Sequence, residues 1–310
     1  MRESIADILT AFALSFAFCG ALIPFLRRKK AGQAILSYVK EHACKSGTPT
    51  MGGLAFIPAA CLAALLLCEK TRQLSVALSV GGGYLLVGCL DDAIKIRSGR
   101  NLGLRAYQKI LFQLAIALIV SVFCYRAGLT VAEIPFSGKS LELGAACIPF
   151  YAFVFLAGVN CVNLTDGLDG LAAGTSLSYF LCFGLLISGA LSSLCFCLVG
   201  ALAAYLIFNT PKASVFMGDT GSLSLGGFVS TISVLSGEVF YMPLIGLPFV
   251  ASGVSVILQV AYFKLSGGKR IFLMAPIHHH FQEKGFAESK ISYCYALTSL
   301  LVGLVCLLLR

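Results

Sequence analysis

The run Leu74-Ser-Val-Ala-Leu-Ser-Val-Gly-Gly-Gly-Tyr-Leu-Leu-Val-Gly-Cys-Leu-Asp91-Asp92 is apolar for almost its whole length and then stops on two adjacent carboxylates. A stretch of this length with no charge reads as a membrane-spanning helix, since about 20 residues cross the hydrocarbon core. Similar stretches recur along the chain, at about 5–26, 51–68, 74–91, 107–125, 145–162, 170–188, 190–208, 221–236, 241–265 and 291–309, each ending at a polar or turn-rich break. The expected fold is therefore all-α: a polytopic integral membrane protein of about ten transmembrane helices, with residues 1–310 forming one domain. The eighth segment is diluted by Ser222, Ser224, Gly226, Gly227, Ser230 and Ser233, but small residues suit close helix packing in lipid. The ninth carries Pro248 and Gly253 and is expected to be broken.

Composition supports this class. The chain is 58% hydrophobic and 12% charged, with a mean hydropathy of +0.90, whereas soluble domains run at about 25% charged. The first apolar run is too long for a secretory signal, and its basic cluster follows it rather than precedes it. The net charge of +9 could suggest a nucleic-acid partner, but membrane proteins gather Lys and Arg in cytoplasmic loops. Ten spans place 27–50, 92–106, 163–169, 209–220 and 266–290 on one side. Counted from the ends of the spans, that side holds 17 of the 23 Lys and Arg, leaving Arg2, Lys70, Arg72, Arg126, Lys139 and Arg310 opposite. It is expected to be cytoplasmic, with both termini external. The thirteen cysteines lie mostly inside apolar runs; no spacing resembles a zinc site, and packing accounts for them.

Five of the six aspartates fall at segment edges on the cytoplasmic side. Carboxylates at the ends of apolar segments are costly and mark function. Asp91-Asp92 closes the third segment, with Lys95 one turn on as a partner for either. A pair of adjacent acids shares a proton or a cation. Asn160, Asn163, Asp166 and Asp169 recur every three residues, which puts them on one face of a helical turn; the bland alternative is that Asp169 caps the next helix. Asp219 opens the eighth segment in Phe-Met-Gly-Asp-Thr-Gly-Ser. It reads as an N-cap, or as a magnesium ligand beside a phosphate at a helix N-terminus. A P-loop is lacking, which excludes nucleotide hydrolases of that class. The run His278-His279-His280 follows Gly267-Gly-Lys-Arg270; neighbouring residues on a helix diverge by about 100°, so it suits phosphate donors or proton carriers better than one metal. Acids for a divalent cation, bases for phosphate and a greasy body together suggest transfer of a phosphorylated group from a nucleotide donor to a lipid.

Five motifs, in order along the chain, resemble the phospho-N-acetylmuramoyl-pentapeptide transferase (MraY) family of the polyprenyl-phosphate N-acetylhexosamine-1-phosphate transferase superfamily. They are Gly47-Thr-Pro-Thr-Met-Gly-Gly53, Leu90-Asp-Asp92, the run from Asn160 to Gly170, Phe216-Met-Gly-Asp219 and Pro276-Ile-His-His-His-Phe281. The last is the most specific, because relatives that move N-acetylglucosamine phosphate differ in that His-rich loop. The resemblance implies a ten-span enzyme of the bacterial inner membrane with its active site facing the cytoplasm. Its reaction moves phospho-N-acetylmuramoyl-pentapeptide from UDP to undecaprenyl phosphate, with Mg2+ as cofactor, giving UMP and lipid I. By motif, Asp219 resembles the magnesium ligand, Asp91 and Asp92 the catalytic pair, and His278 an essential histidine with His279 and His280 beside it. Lys109 and Asn209 resemble catalytic polar residues. Lys95, Asn163 and Asp166 resemble substrate-binding ones. Lys45, Gly167, Leu168, Asp169 and Phe216 resemble a uridine pocket in which Phe216 stacks on the base, with Thr50 and Gly218 as neighbours, and Gln259 resembles a residue near the sugar-peptide end. The partners implied are UDP-MurNAc-pentapeptide, undecaprenyl phosphate and membrane lipid, with no nucleic acid. The Gly and Ser content of several spans is also compatible with a homodimer. A transporter is the reading of a different class, but transporter sites lie near the midplane and these acids gather at one face.

Overall fold

In a bilayer every backbone N–H and C=O needs an internal partner, so long apolar segments become helices. The computed structural model describes residues 2–29, 47–98 and 102–310. Its helices are α1 (Arg2–Arg28), α2 (Gly53–Leu67), α3 (Arg72–Ser98), α4 (Ala106–Arg126), α5 (Cys147–Thr165), α6 (Leu171–Leu186), α7 (Ala190–Asn209), α8 (Gly218–Leu235), α9 (Tyr241–Ile245), α10 (Leu247–Leu265), α11 (Ile277–Glu283) and α12 (Glu288–Leu309). Among the described residues, seven helical segments are long and apolar enough to cross a membrane, namely Arg2–Arg28, Arg72–Ser98, Ala106–Arg126, Gly144–Thr165, Ala190–Asn209, Leu247–Leu265 and Glu288–Leu309. The shorter α2 and α6 are also apolar. The expected ninth segment is divided at Gly246 into α9 and α10.

Helix α8 explains why its segment is so dilute in apolar residues. Every residue from Thr220 to Leu235 is buried, so it meets other helices on all sides rather than lipid. Its neighbours are α3, α5 and α2. Two glycines of α3 lie two turns apart on the face it meets. A Cβ on Gly81 would come 2.1 Å from the Phe228 ring, and one on Gly88 would come 2.2 Å from the Asp219 carbonyl oxygen. Most of the buried hydroxyls of α8 are paired: Ser224 donates to the Gly81 carbonyl at 2.8 Å, and Tyr179 and Ser233 share a bond of 2.9 Å, whereas the Ser230 hydroxyl has no partner among the described residues.

Two features depart from the sequence reading. The connection between α4 and α5, in a chain expected to be all-α, is an antiparallel hairpin of β1 (Val131–Ile134) and β2 (Lys139–Glu142), paired Val131 to Glu142. Its loop passes through positive φ at Phe136 and Gly138, and the Phe136 N–H donates to the Tyr241 hydroxyl at 3.3 Å. Four-residue strands are too short to register as alternation in the sequence. Helix α3, in turn, does not end at the aspartate pair but continues to Ser98. Asp91 and Asp92 are thus interior residues of a helix that outruns its apolar stretch, because Lys95 one turn on supplies their counter-charge.

Candidate functional site

One end of the bundle gathers the C-terminal part of α3, the start of α4, the end of α5 and the start of α8. Asp91 and Asp92 are both buried there, at 2% and 1% exposure. Lys95, one turn along α3, lies 2.6 Å from Asp91 Oδ2, 3.7 Å from Asp92 Oδ1 and 2.9 Å from Asp219 Oδ2. Lys109 of α4 reaches the same Asp219 oxygen at 2.9 Å. Asn163 of α5 donates to Asp219 Oδ1 at 2.8 Å, and its own Oδ1 accepts from Lys109 at 3.1 Å.

The two acids of the pair have different duties. Asp92 accepts the backbone N–H groups of Asp219 (3.2 Å) and Thr220 (2.9 Å) and the Thr220 hydroxyl (2.7 Å). It caps α8 from another helix, satisfying donors that a helix start leaves open. The N-cap role expected of Asp219 therefore belongs to Asp92, and Asp219 projects its carboxylate to the two ammoniums. Asp91 instead accepts the Leu104 N–H at 2.7 Å. Gly103 makes that approach feasible, since a Cβ there would lie 2.4 Å from Asp91 Oδ1.

Oxygens of Asp91, Asp92 and Asp219 all lie within 4.8 Å of one another. An all-oxygen donor set suits a hard cation such as Mg2+. When ionised, the three carboxylates exceed the charge of Lys95 and Lys109 by one, and a divalent cation would turn that deficit into one positive charge available to a phosphate. On both counts these residues fit that ion.

The period-three run divides rather than sharing a face, because α5 ends at Thr165. Asn160 donates to Gln113 Oε1 at 2.7 Å, Asn163 joins Asp219, and Asp166 follows the helix as its C-cap residue. Burial, and then the charges of Asp219 and Asp92, push the Asp166 carboxyl up to about 8. Without a cation on Asp219 and Asp92, that shift favours the protonated, hydrogen-bond-donating form at neutral pH. Asp169 does not cap α6, which starts after Gly170 in the left-handed conformation. Its carboxylate accepts the Ala213 N–H at 3.2 Å instead, and its carbonyl accepts the Ser292 hydroxyl at 2.9 Å. Asn209 accepts the Gly170 N–H (3.1 Å) and donates to the Val215 carbonyl (2.9 Å). Asp169 and Asn209 thus tie the 166–170 turn to the 210–217 segment. Leu168 packs with Leu171, Ile291 and Tyr295.

The glycine-rich segment 47–53 lies alongside Phe216 and Met217. Phe216 N–H donates to the Pro49 carbonyl, and Gly52 N–H donates to the Phe216 carbonyl, both at 2.8 Å. Half-buried Phe216 is thereby held on the rim. Gly218 needs to be glycine twice over: its φ is +70°, and a Cβ would lie 2.4 Å from Asp92 Oδ2 and 2.7 Å from Thr50 Oγ1. The Thr50 hydroxyl is buried without a hydrogen-bond partner. Lys45 lies outside the described residues.

The His run is α11. His278 is fully buried, and neither ring nitrogen has a hydrogen-bond partner. Gly167 faces it, since a Cβ there would lie 2.3 Å from His278 Nε2. Burial, and then the neighbouring His279, push the His278 imidazole down to about 3, so it is neutral at physiological pH. His279 contacts Gln282 at 2.9 Å, and His280 Nδ1 accepts the Leu273 N–H at 3.1 Å. Gln259 accepts the N–H groups of Ile271 (3.1 Å) and Phe272 (2.9 Å) and holds the 266–276 segment to α10.

Because the unfolded His278 titrates near its ordinary value of 6.5, the unfolded chain binds the extra proton first as pH falls. The protein should therefore lose stability from about pH 6.5 toward 3. Thermal-inactivation curves of the wild type and His278→Gln across this range test it. A wild-type curve that falls no more steeply than that of the variant would show that His278 is not the buried neutral group.

Sequence reasoning passed over three contributors: Thr220, which anchors Asp92; Ser222, which accepts from Asn163 at 2.8 Å; and the Gly103-Leu104 step, which meets Asp91. Ser222 stands one turn beyond Asp219, a helical spacing that could have been read once α8 was assigned. Gly103 and Leu104 carry no polar side chain and left no signal.

Comparison with known proteins identifies the family. The glycosyl transferase family 4 profile matches residues 74–237, and phospho-N-acetylmuramoyl-pentapeptide-transferase signature 1 matches residues 45–57. A phospho-N-acetylmuramoyl-pentapeptide-transferase of Thermoanaerobacter sp. (strain X514) is 41% identical over 309 residues, covering 97% of this chain and 96% of the relative. Those of Clostridioides difficile (strain 630) and Desulfovibrio desulfuricans (strain ATCC 27774 / DSM 6949 / MB) are 41% and 40% identical, over 93% and 98% of this chain and 91% and 92% of theirs. With near full-length identity at this level and the signature at the segment that borders Phe216, this chain belongs to the phospho-N-acetylmuramoyl-pentapeptide-transferase family.

Proposed function

We propose that this chain transfers phospho-N-acetylmuramoyl-pentapeptide from its UDP donor to undecaprenyl phosphate, giving lipid I and UMP in peptidoglycan synthesis. The observation that carries this reading is the meeting of Asp91, Asp92 and Asp219 with Lys95 and Lys109 at one end of an apolar helix bundle. Phosphoryl transfer between a nucleotide and a lipid phosphate needs charge neutralisation and positioning more than covalent machinery, and this cluster supplies both. Mg2+, when bound by Asp219 with Asp91 and Asp92 alongside, would spread the charge that develops on the pyrophosphate.

The chain's own residues do the rest. Asp91 is the better candidate to take or hold the proton of the lipid phosphate, since Asp92 is engaged in holding α8. Lys95 and Lys109, held on Asp219 at 2.9 Å, would supply positive charge to the phosphates. Neutral His278 and protonated Asp166 are donors beside the 166–170 turn, and Phe216 offers a face for the uracil. Direct attack by the lipid phosphate oxygen on the sugar-linked phosphate is the route this reading takes, with Asp91 as the proton acceptor. A trapped covalent phospho-sugar enzyme formed with donor alone would instead establish a two-step route through an aspartyl phosphate.

The proposed setting is a single domain of ten spans in the bacterial inner membrane, with both termini external and this site facing the cytoplasm. The charge bias of the loops supports it, and α8 counts as a span because burial on all sides removes its need for apolar residues. A homodimer is part of the reading only to the extent that glycine-rich helix faces permit it.

A purified-enzyme assay with UDP-linked muramoyl-pentapeptide and polyprenyl phosphate, with and without magnesium, tests the assignment. The expected result is magnesium-dependent UMP release with that donor and at least about a hundredfold less with UDP-N-acetylglucosamine, because a site built for polar groups rejects a donor lacking them. Equal or better turnover of UDP-N-acetylglucosamine would reassign the donor. Uptake into vesicles without UMP release would point to a transporter.

A further inference from the structure

The sixth aspartate, Asp7 of α1, takes no part in the site above. It is buried among helices at 3% exposure, and its Oδ2 has no hydrogen-bond partner. Cys68, just past the end of α2, and Cys197, in the first half of α7, are buried beside it at 6% and 0% exposure. One carboxylate oxygen and the two sulfurs lie within 4.8 Å of one another. Ser193 of α7 hydrogen-bonds both Asp7 and Cys68. Cys197 stands 12 residues before Asn209, which borders the transferase site. At 1.5 Å per residue the two clusters are about 18 Å apart along α7.

We propose that Asp7, Cys68 and Cys197 form a structural site for a thiophilic divalent cation, Zn2+ being the ion this donor set suits best. Two sulfurs and one carboxylate oxygen supply three of the four donors of a tetrahedral zinc ion, and water would complete the shell, unlike the closed four-ligand sets of most structural sites. Zinc–sulfur bonds of about 2.3 Å put tetrahedral donors about 3.8 Å apart, so only a small contraction closes the site. Thiolate ligands favour zinc over magnesium and calcium. Ser193 is a partner of the ligands, of the kind that fixes their orientation. The cation also answers the cost of the site: a carboxylate with an idle oxygen inside an apolar bundle is expensive, and hydrogen bonding to Ser193 alone leaves Oδ2 idle. Binding releases the thiol protons of Cys68 and Cys197 to solvent, with no change in oxidation state. The bound ion joins α1, α2 and α7, which already pack against one another.

The test uses the full-length reduced protein in detergent, titrated with Co2+ alone and then with Zn2+. One equivalent of Co2+ should give thiolate-to-cobalt charge-transfer absorption, and Zn2+ should bleach it. The Asp91–Asp92–Asp219 cluster offers only oxygen and cannot produce that band, so the readout separates the two clusters, and the cysteine variants separate this site from the other thiols. Cys197→Ala and Cys68→Ala should abolish the absorption, and Asp7→Asn should weaken Co2+ affinity at least about tenfold, in line with the loss of one charged contact. Lipid I synthesis by the same variants, at the wild-type rate, reports that they fold. Should a variant not fold, the intact wild type still decides, because Zn2+ should protect Cys68 and Cys197 from alkylation as read by peptide mass. The proposal is overturned by a Cys68–Cys197 disulfide in the protein as made, by the absence of thiolate absorption and of zinc protection in the wild type, or by a band that survives the double cysteine variant. Unchanged affinity in Asp7→Asn would remove the carboxylate from the site.

Discussion

Asp219→Asn should lower magnesium-dependent UMP release by about a thousandfold or more while leaving a folded helical protein, because removal of one charge-stabilising group from a phosphoryl-transfer site costs two to three orders of magnitude or more. The amide keeps the shape of the carboxylate, so the backbone bonds from α8 to Asp92 survive. What disappears is the negative charge that both Lys95 and Lys109 contact at 2.9 Å, and with it the oxygen that completes the three-carboxylate set. The measurement is UMP release with and without added magnesium, alongside thermal inactivation in detergent. Turnover near the wild-type rate would remove Asp219 as the metal ligand. A protein that no longer survives extraction would mean that the residue acts on the fold instead.

Gly218→Ala should produce the second large effect, by a different route. Alanine must adopt a φ of +70°, and its Cβ must sit 2.4 Å from Asp92 Oδ2. The left-handed backbone alone costs about 1–2 kcal/mol for an L-residue. The collision adds to this by pushing Asp92 off the N-terminus of α8. The expected outcome is a fall in kcat of about a hundredfold, since small displacements of a positioning group have effects of that size, together with earlier thermal inactivation. Gly189→Ala is the control. Its φ of +71° with ψ of −157° lies in a region essentially reserved for glycine, but nothing lies within 4 Å of its Cβ, so it carries at least as much backbone strain without the collision and should keep its activity. Wild-type kcat in Gly218→Ala, or an equal loss in Gly189→Ala, would show that the contact with Asp92 is not what matters.

The long apolar helices were legible because the signal is local: a run such as 74–90 excludes water whatever it packs against. The position of Asp91 and Asp92 at the end of that run was legible for the same reason, and so was Lys95 one turn away. The extension of α3 to Ser98 was not, since residues 93–98 mix Ala93, Ile94 and Ile96 with Lys95, Arg97 and Ser98 and break the uncharged run that marked the span. Asp169, for which capping was the bland alternative, is instead a tie to Ala213, and the capping half of the Asp219 reading describes a duty that Asp92 performs. In each case the competing donor lies far along the chain, where no spacing rule reaches. The hairpin 131–142 was missed because each strand is four residues long.

The sequence by itself determined that this is a helical membrane protein, where its acids and histidines lie along the chain, and, through motif order, the family it resembles. Hydrophobic transfer and backbone satisfaction act segment by segment, and that information is carried in each segment's own residues. Only the tertiary structure decided how the carboxylates divide their work: Asp92 caps α8, Asp91 accepts an amide from a loop, Asp219 faces two ammoniums and Asp166 is held neutral. It also brought Asp7 to Cys68 and Cys197, a cluster that no spacing announces. A carboxylate's role is set by which donors and charges surround it, and in a bundle those come from helices distant in sequence that meet only when glycine-lined faces pack.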